Sequence, residues 1–402
     1  MNTSISPQEL IRLTGEFGAP LYVYDAETMR RQYHKLEEAF KECKVKIHYA
    51  MKALSNIHVL KLFKELGAGL DAVSIEEVKI GLMAGYLPGE ILYTPNCVSF
   101  AEIEECVALG VKINIDNISI LEQFGNKYGA SVPVCIRVNP HIMAGGHYKI
   151  STGHIDSKFG ISIHQMRHVE RLIQSLHIKV EGIHMHTGSD ILDVDVFLNG
   201  AELLFDLALQ FPDIEYIDFG SGFKVGYKPD DVTTDINLLG EKLTTRYRKF
   251  CKDYGREIQI HFEPGKFLVS ESGYFLAKVN VIKQTTATVF AGLDTGFNHL
   301  MRPTLYDAYH YITNLSNPQG MQRVYTVVGY ICETDTFAWD RPLKEVREGD
   351  VLCFHNAGAY GMMMASNYNS RMRPAEVLVD GSAYRLIRRR ETLEDLLATQ
   401  VI

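Results

Sequence analysis

The sequence predicts an α/β protein in which a (β/α)₈ TIM barrel is joined to a mainly antiparallel β-sandwich or β-barrel domain. Three observations predict this fold class. Short β-rich runs alternate with amphipathic helical stretches from about residue 26 to about residue 265, which is the pattern of parallel βαβ units. After Gly265, strand-like segments follow one another with little helical pattern between them. The length of 402 residues also exceeds the usual size of one hydrophobic core.

The barrel is predicted to comprise residues 26–270, and its strands are short runs rich in Ile, Val, Tyr or Phe. Most are separated by segments of helical period, as in Asn56–Leu66. A count of eight favours a closed barrel over an open doubly wound sheet. The predicted strands are Lys46–Ala50, Leu70–Ser74, Ile91–Thr94, Lys112–Asp116, Val132–Val138, Val180–His186, Ile214–Phe219 and Glu257–Glu263.

The second domain is predicted to comprise residues 1–25 and 271–402. The run Leu21–Tyr24 is strand-like and precedes the first barrel helix, so we expect it to pair with the C-terminal strands instead of the barrel. Those C-terminal strands are predicted at Tyr274–Val281, Thr288–Leu293, Arg323–Tyr330, Asp350–Phe354 and Glu376–Val379.

Charge and composition argue against several classes of function. A formal net charge of −8 leaves no basic footprint, so we expect no nucleic-acid partner. The longest apolar runs are too short to span a bilayer, and the N-terminus lacks the pattern of a secretory signal. The seven cysteines are scattered without a CxxC pair, which favours a reducing compartment. We therefore expect a cytoplasmic enzyme with a small-molecule substrate and no membrane contact.

A barrel places its functional site at the C-terminal ends of the strands. The residues at or just after the predicted strand ends are therefore the candidates for chemistry. A lysine follows the first strand, histidines end the sixth, a glycine-rich turn follows the seventh, and a carboxylate ends the eighth. These candidates are Lys52, Asp71, His184, His186, Ser189, Gly220, Ser221, Gly222, Glu263, Gly265 and Lys266.

Together these residue types suit a phosphorylated aldehyde cofactor. The amine of Lys52 forms an imine with an aldehyde, and the backbone of a glycine-rich turn approaches phosphate closely. A carboxylate such as Glu263 keeps a pyridine nitrogen protonated, so that the ring withdraws electrons. An imidazole such as that of His186 lies against a flat ring. The pattern therefore predicts pyridoxal 5′-phosphate.

Each feature also has a simpler interpretation. A single lysine after a strand is usually a solvated loop residue, and glycine commonly ends a strand. His184 and His186 share one face of their strand and could be structural, or could be ligands in a metal-dependent barrel hydrolase. That hydrolase needs further ligands at strand ends where this chain has Lys52, so no metal is predicted. A third alternative is a cofactor-binding homologue without activity.

The motifs around these residues resemble those of the fold-type III pyridoxal-phosphate-dependent decarboxylases. The resemblance covers essentially the whole chain and implies that Lys52 holds the cofactor as a Schiff base. It also implies that His186 stacks on the cofactor ring, that Ser189 neighbours the phosphate, and that Glu263 pairs with the pyridine nitrogen. The barrel motifs are HYAMKALSN at 48–56, LDAVSIEEV at 70–78, SKFGI at 157–161, HMHTGS at 184–189, DFGSGF at 218–223 and EPGK at 263–266.

The C-terminal motifs resemble family segments that contact substrate. The resemblance implies that Arg302 and Tyr306 bind substrate, and that Tyr360 contacts both cofactor and substrate. It further implies a homodimer with shared active sites, because the Cys-Glu pair, here Cys332 and Glu333, is contributed by the other subunit. These motifs are LDTGFNHLMRPTLYDAYH at 293–310, CETDTF at 332–337 and NAGAYGMMMASNYN at 356–369.

The resemblance implies decarboxylation of meso-2,6-diaminopimelate to L-lysine and CO₂, with Cys332 or Lys52 returning the proton. Arg302 with Lys266 favours a substrate that carries a second carboxylate over the rival substrates ornithine, arginine and carboxynorspermidine. Two departures from the family pattern stand out. Lys266 replaces the arginine that grips the distal carboxylate, so a bidentate fork becomes a point charge. Ser221 replaces the middle glycine of the phosphate turn, which is tolerable if only the flanking glycines need unusual φ.

Overall fold

The computed structural model describes residues 4–142 and 156–401. The chain divides into two compact units. The barrel unit comprises Gln32–Val225 and Val232–Phe267, and the β unit comprises Met1–Arg31, Gly226–Asp231 and Leu268–Ile402. The segment Gly226–Asp231, which the sequence placed inside the barrel, thus groups with the β unit.

The strands of the described residues carry the numbers β1 to β18 in chain order. They are β1 (Leu21–Asp25), β2 (Val45–Ala50), β3 (Gly69–Ala72), β4 (Ile91–Tyr93), β5 (Lys112–Ile115), β6 (Val134–Asn139), β7 (Ile161–Ser162), β8 (Val180–Met185), β9 (Tyr216–Asp218), β10 (Gln259–Phe262), β11 (Gly273–Gln284), β12 (Val289–Leu293), β13 (Ile312–Asn314), β14 (Gln322–Val328), β15 (Thr336–Lys344), β16 (Val351–Phe354), β17 (Ala375–Asp380) and β18 (Ala383–Arg388).

The helices of the same residues carry the numbers α1 to α12. They are α1 (Pro7–Phe17), α2 (Ala26–Ala39), α3 (Ile57–Glu65), α4 (Ile75–Met83), α5 (Phe100–Ala108), α6 (Ile118–Tyr128), α7 (Met166–Leu176), α8 (Val194–Ala208), α9 (Ile236–Tyr254), α10 (Lys266–Val269), α11 (Arg302–Tyr306) and α12 (Leu393–Leu397). None of these helices is both long and apolar enough to cross a membrane.

Eight of the described strands close into a parallel barrel. The ring runs β2-β3-β4-β5-β6-β8-β9-β10 and returns to β2, with every neighbouring pair parallel. All eight predicted barrel strands are confirmed, with small shifts at their ends. Ser74 and His186, predicted as strand termini, lie just outside β3 and β8.

The helices that follow the first four barrel strands begin at capping side chains. Asn56, Ser74, Ser99 and Asn117 each accept a hydrogen bond from a backbone N–H in the first turn of α3, α4, α5 and α6. Such caps satisfy donors that have no partner within the helix. Ser74 is therefore a helix cap, which explains why β3 ends before it although the predicted strand included it.

The β unit is built on one branched, mainly antiparallel sheet. β1 lies within it, antiparallel to β11 and parallel to β17, which confirms the expected pairing of Leu21–Tyr24 with C-terminal strands. Within this sheet, the only other parallel pairing among the described strands joins β12 to β14. Helix α1 covers this sheet through Leu10 and Leu13, which pack in one core with Val23 and Leu276.

The sequence missed three strands, β13, β15 and β18, and three helices, α1, α11 and α12, among the described residues of the β unit. β15 contains Pro342 and charged residues, and the side chains of β18 are largely exposed, so neither shows a clear alternation of apolar and polar residues. β13 has only three residues. Helix α1 begins at Ser6 as N-cap with Pro7 at its first position, which is a helix start signal present in the sequence.

The barrel interior is closely packed around Gly182 on β8. A Cβ built on Gly182 would lie 2.5 Å from the ring of the buried Tyr216. That ring stacks on His261 with 4.2 Å between centroids, which restricts its movement. The absence of a side chain at Gly182 therefore leaves the space that Tyr216 occupies.

We expect Gly182→Ala to lower the free energy of unfolding by about 1–3 kcal/mol, because the added methyl group overpacks this interior. Gly89→Ala is the matched control, since a Cβ there meets no atom within 4 Å. Urea denaturation of both variants and the wild type measures the difference. Equal stability of the two variants would contradict the close packing around Gly182.

Candidate active site

Lys52 lies in a short 3₁₀ turn, Met51–Ala53, directly after β2. The β2–β3 register pairs Ala50 with Asp71, so this carboxyl lies beside the turn. Lys52 Nζ is 3.9 Å from Oδ2 of Asp71, which is almost fully buried. Burial and the nearby charge of Glu263 raise the pKa of Asp71 to about 8, although Lys52 acts against the shift. Asp71 thus shares its environment with the predicted cofactor lysine.

Glu263 follows β10 and forms a buried pair with His184 of β8. Oε2 of Glu263 lies 3.1 Å from Nε2 of His184, and Thr94 Oγ1 donates to Oε1 at 3.4 Å. Burial alone would raise the pKa of Glu263, but His184 and Lys52 outweigh it and hold that pKa below its ordinary value. Burial lowers the pKa of His184, so its imidazole is neutral at physiological pH and donates Nε2–H to the carboxylate.

Asp218 of β9 is a third buried carboxyl near this pair. Burial, followed by the charge of Glu263, raises the pKa of Asp218 well above its ordinary value. His184, Asp218 and Glu263 each place one ligand atom so that all three lie within 4.8 Å of one another. This grouping differs from the pair His184 and His186 on which the metal-hydrolase alternative was based. Within the cluster the pKa of Asp218 is thus raised while that of Glu263 is lowered, so ionisation is favoured at Glu263.

The glycine-rich turn after β9 contains two glycines with positive φ. Gly220 and Gly222 adopt φ of 61° and 121°, whereas Ser221 is not among the residues with positive φ. The departure at Ser221 is therefore tolerated. The backbone N–H of Ser221 donates to Nδ1 of His186 at 3.2 Å. Burial, then the charge of Lys52, lowers the pKa of His186 well below its ordinary value, so this imidazole is also neutral.

Backbone hydrogen bonds hold the three strand-end turns together. The N–H of Glu263 donates to the carbonyl of Gly220 at 2.7 Å, and the N–H of Ala50 donates to the carbonyl of Pro264 at 3.2 Å. A Cβ on Gly265 would lie 3.1 Å from the carbonyl oxygen of Ala50. The turns that carry Lys52, Glu263 and the glycines thus form one frame.

Lys266, the first residue of α10, is buried and forms a close ion pair with Asp190. Asp190 belongs to the turn after β8 and directly follows Ser189, which is partly exposed there. The positive charge of Lys266, which stands where the family has an arginine, is thus partly compensated by Asp190 within the barrel unit.

Arg302, Tyr306 and Tyr360 lie in the β unit. Arg302 begins α11, where it is buried, lies over the ring of Tyr227 at 4.6 Å and contacts Nε2 of His310 at 3.2 Å. Tyr306 ends the same helix. Tyr360 adopts φ of 58°, which is uncommon for a bulky residue. Their predicted roles in binding stay predictions.

Cys332 and Glu333 are exposed in the β unit, directly after the buried Ile331. Both side chains contact a second loop, where Tyr368 donates to Glu333 Oε1 at 2.6 Å and Asn369 donates to Cys332 Sγ at 3.2 Å. The sequence did not predict the roles of Tyr368 and Asn369. The predicted contribution of Cys332 and Glu333 to the site of another subunit stays a prediction.

Other residues of the barrel site were also missed or left without a role. The sequence left open whether His184 is structural or a ligand, and in the structure its imidazole contacts the carboxyl of Glu263. In the sequence, Asp218 stands out only as the first residue of DFGSGF, and Thr94 only as the last residue of a predicted strand. Arg137 of β6 is buried and lies 4.9 Å from the ring of Phe159. A charged residue inside an apolar strand is the signal that could have identified Arg137.

Residues 26–270 match the family described as pyridoxal-dependent decarboxylase, pyridoxal binding domain. The diaminopimelate decarboxylase of Methanothermobacter thermautotrophicus is 39% identical over 98% of this chain and 95% of its own length. A crystal structure of diaminopimelate decarboxylase superposes with a TM-score of 0.92 at 35% identity, covering 100% of this chain and 98% of the other. The Helicobacter pylori diaminopimelate decarboxylase complexed with L-lysine gives 0.87 at 31% identity, covering 97% and 98%.

The barrel, its rim of Lys52, His186 and Glu263, and the matching family place the chain among the pyridoxal-dependent decarboxylases, which are carbon–carbon lyases that use pyridoxal phosphate. Within that class, the chain belongs to the diaminopimelate decarboxylases.

The raised pKa of Asp71 predicts a pH effect on stability in the cofactor-free protein. A pKa raised from 3.8 to about 8 means that the folded state holds a proton that the unfolded state releases. The resulting stability is complete below the lower value and is lost as the pH rises through the higher one. Asp71→Asn removes this titration. Between pH 5 and 7 the free energy of unfolding of the wild type should therefore fall with rising pH more steeply than that of Asp71→Asn. The two slopes should differ by about 1 kcal/mol per pH unit.

Urea denaturation at several pH values measures both slopes. Parallel curves for the wild type and Asp71→Asn would show that Asp71 holds no extra proton in the folded state.

Proposed function

We propose that this enzyme decarboxylates meso-2,6-diaminopimelate to L-lysine and CO₂, using pyridoxal phosphate held at the barrel rim. The observation that carries the proposal is the frame that joins Lys52, the Gly220–Gly222 turn and the ionised Glu263 at neighbouring strand ends. The names of the full-length relatives and the L-lysine bound to the Helicobacter pylori enzyme support the substrate and the product.

The residues of the rim fit the chemistry of this cofactor. A buried carboxylate kept ionised by His184 suits a protonated pyridine nitrogen. A neutral imidazole such as His186 suits a flat aromatic face without adding charge. Lys52 supplies an amine at the adjacent strand end, and the glycine turn supplies backbone for a phosphate. When bound, pyridoxal phosphate accepts the electron pair left behind by the departing CO₂.

Within this proposal, Glu263 keeps its charge during the reaction because His184 donates a hydrogen bond to Oε2 and Thr94 donates one to Oε1. Lys52 would hold the aldehyde group of the cofactor through its side-chain amine. A proton must return to the carbon that loses CO₂, and Cys332 or Lys52 donates it. Cys332 and Glu333 would serve the site of a second subunit in a homodimer, which requires them to be exposed on the single chain, as they are.

Lys266, Arg302, Tyr306, Tyr360 and Glu333 are proposed to hold the charged groups of the substrate. The positive charges favour a substrate with a second carboxylate, because the distal ammonium group of ornithine has no carboxylate beside it and would be repelled. The proposed location is the cytoplasm, which is consistent with the seven cysteines all being free.

A CO₂-release assay tests the substrate. We expect turnover of meso-2,6-diaminopimelate that increases on addition of pyridoxal phosphate. Turnover of ornithine and of carboxynorspermidine should be lower by about 100-fold or more, since the groups that bind a distal carboxylate would be left unpaired. Faster release from either alternative substrate would overturn the proposed specificity.

Borohydride reduction tests the role of Lys52. In the wild type, reduction should fix the cofactor to the peptide that contains Lys52, as measured by mass spectrometry. Lys52→Ala should fix none and should lose CO₂ release by about 1,000-fold or more, because the activated amine is absent. Lys61→Ala, which changes an exposed lysine of α3, is the control and should behave as the wild type. Cofactor fixed elsewhere in Lys52→Ala would refute the assignment.

A further inference from the structure

Two loops of the β unit meet at four side chains, which we call the Cys332 cluster: Cys332, Glu333, Tyr368 and Asn369. The amide of Asn369 makes two contacts with one residue, since its Oδ1 accepts the backbone N–H of Cys332 at 3.2 Å and its Nδ2 donates to Cys332 Sγ at 3.2 Å. Tyr368 donates to Glu333 at 2.6 Å, and its hydroxyl lies 4.0 Å from Cys332 Sγ. The thiol of Cys332 and the carboxylate of Glu333 thus each have a partner on the second loop.

The second loop is fixed independently of these contacts. Asn369 adopts φ of 56° and ψ of 26°, a left-handed conformation that asparagine tolerates better than most residues. Asn367 donates to the carbonyl of Arg371 at 3.0 Å and to Glu391 at 2.6 Å. The turn that presents Asn369 is therefore held from its other side.

The first loop is also fixed independently. The buried carboxylate of Asp335 accepts the backbone N–H of Ile331 at 3.0 Å and that of Phe297 at 2.8 Å. Neither loop needs the contact between Asn369 and Cys332 to keep its course. Because both loops are already anchored, we expect this contact to affect mainly the thiol of Cys332.

The donors in the Cys332 cluster match the chemistry predicted for their partners. An N–H directed at sulfur stabilises the thiolate relative to the thiol. A hydroxyl bound to one carboxylate oxygen fixes the orientation of the other. The hydrogen bonds to Glu333 and Cys332 raise the pKa of Tyr368 to about 12, so this hydroxyl remains a donor at neutral pH.

We propose that Asn369 and Tyr368 are positioning residues for proton return and for recognition of the distal end of the substrate. The inference rests on the proposed function, in which Cys332 returns the proton and Glu333 binds the substrate. As the S–H bond of Cys332 breaks, the C–H bond of the product forms and a thiolate remains. The Asn369 amide stabilises that thiolate until a proton from water restores the thiol. Tyr368 orients Glu333 towards the distal ammonium group of the substrate.

Alkylation of the full-length holoenzyme tests the role of Asn369 without using activity. Iodoacetamide labelling is followed by peptide mass spectrometry across a pH series, with the exposed Cys97 as an internal reference. In Asn369→Gly, which keeps the left-handed φ without the amide, the pH midpoint of Cys332 alkylation should rise by about one unit, a rate about tenfold lower near neutral pH.

Ser370→Gly is the matched control, because Ser370 adopts the same φ of 56° next to Asn369. It should leave the midpoint at the wild-type value. A midpoint in Asn369→Gly equal to that of the wild type would overturn the role of Asn369. A change in access alone would alter the maximal rate but not the midpoint.

Kinetics separate the two positioning residues. Asn369→Gly should lower kcat about fivefold and increase the solvent deuterium isotope effect, with little change in KM, because only proton return is affected. Tyr368→Phe should raise KM about fivefold with kcat nearly constant, because Glu333 loses its orientation. Tyr384→Phe is the control for Tyr368, since Tyr384 is another exposed tyrosine that donates to a glutamate, Glu16, at 3.1 Å.

Equal effects of Tyr368→Phe and Tyr384→Phe on KM would contradict the role of Tyr368. If the wild type released no CO₂ from meso-2,6-diaminopimelate, the proposed function itself would be wrong. In that case the alkylation midpoints would still decide whether Asn369 acts on the Cys332 thiol.

Discussion

The ionised carboxylate of Glu263 is buried at the rim of the barrel, and the arrangement of the site depends on how its charge is kept there. Burial disfavours a charged carboxyl, and Asp71 and Asp218 are buried nearby. The hydrogen bond from His184 and the positive charge of Lys52 favour ionisation of Glu263, while its charge raises the pKa values of the other two carboxyls. Ionisation is thus favoured at Glu263, the carboxyl that we propose pairs with the pyridine nitrogen.

The barrel topology makes this arrangement possible because it aligns consecutive strand ends. The β8–β9 register pairs His184 with Asp218, and the β9–β10 register pairs Asp218 with His261, two residues before Glu263. Residues that are distant in sequence therefore meet at one rim. The hydrogen bonds of the Gly220 and Pro264 carbonyls hold the turns beyond those strands, so the positions of the functional side chains follow from backbone structure.

The sequence predicted the parts of the fold that have a strong local pattern. Eight apolar runs separated by helical periods identified the barrel, and position after a strand made Lys52, the glycine turn and Glu263 candidates for the site. Exposed or irregular strands such as β18 escaped because their side chains do not alternate. The partnership of His184 with Glu263, and that of Asn369 with Cys332, could not be predicted, because each joins residues far apart in sequence and only the folded chain selects the partner.

We propose that Glu263 remains ionised and thereby keeps the ring nitrogen of the cofactor protonated. Nuclear magnetic resonance of the holoenzyme, loaded with pyridoxal phosphate isotopically labelled at the ring nitrogen, measures this state directly. We predict a protonated ring nitrogen in the wild type across neutral pH and an unprotonated one in Glu263→Gln. An unprotonated nitrogen in the wild type, or the same chemical shift in both proteins, would refute this role of Glu263.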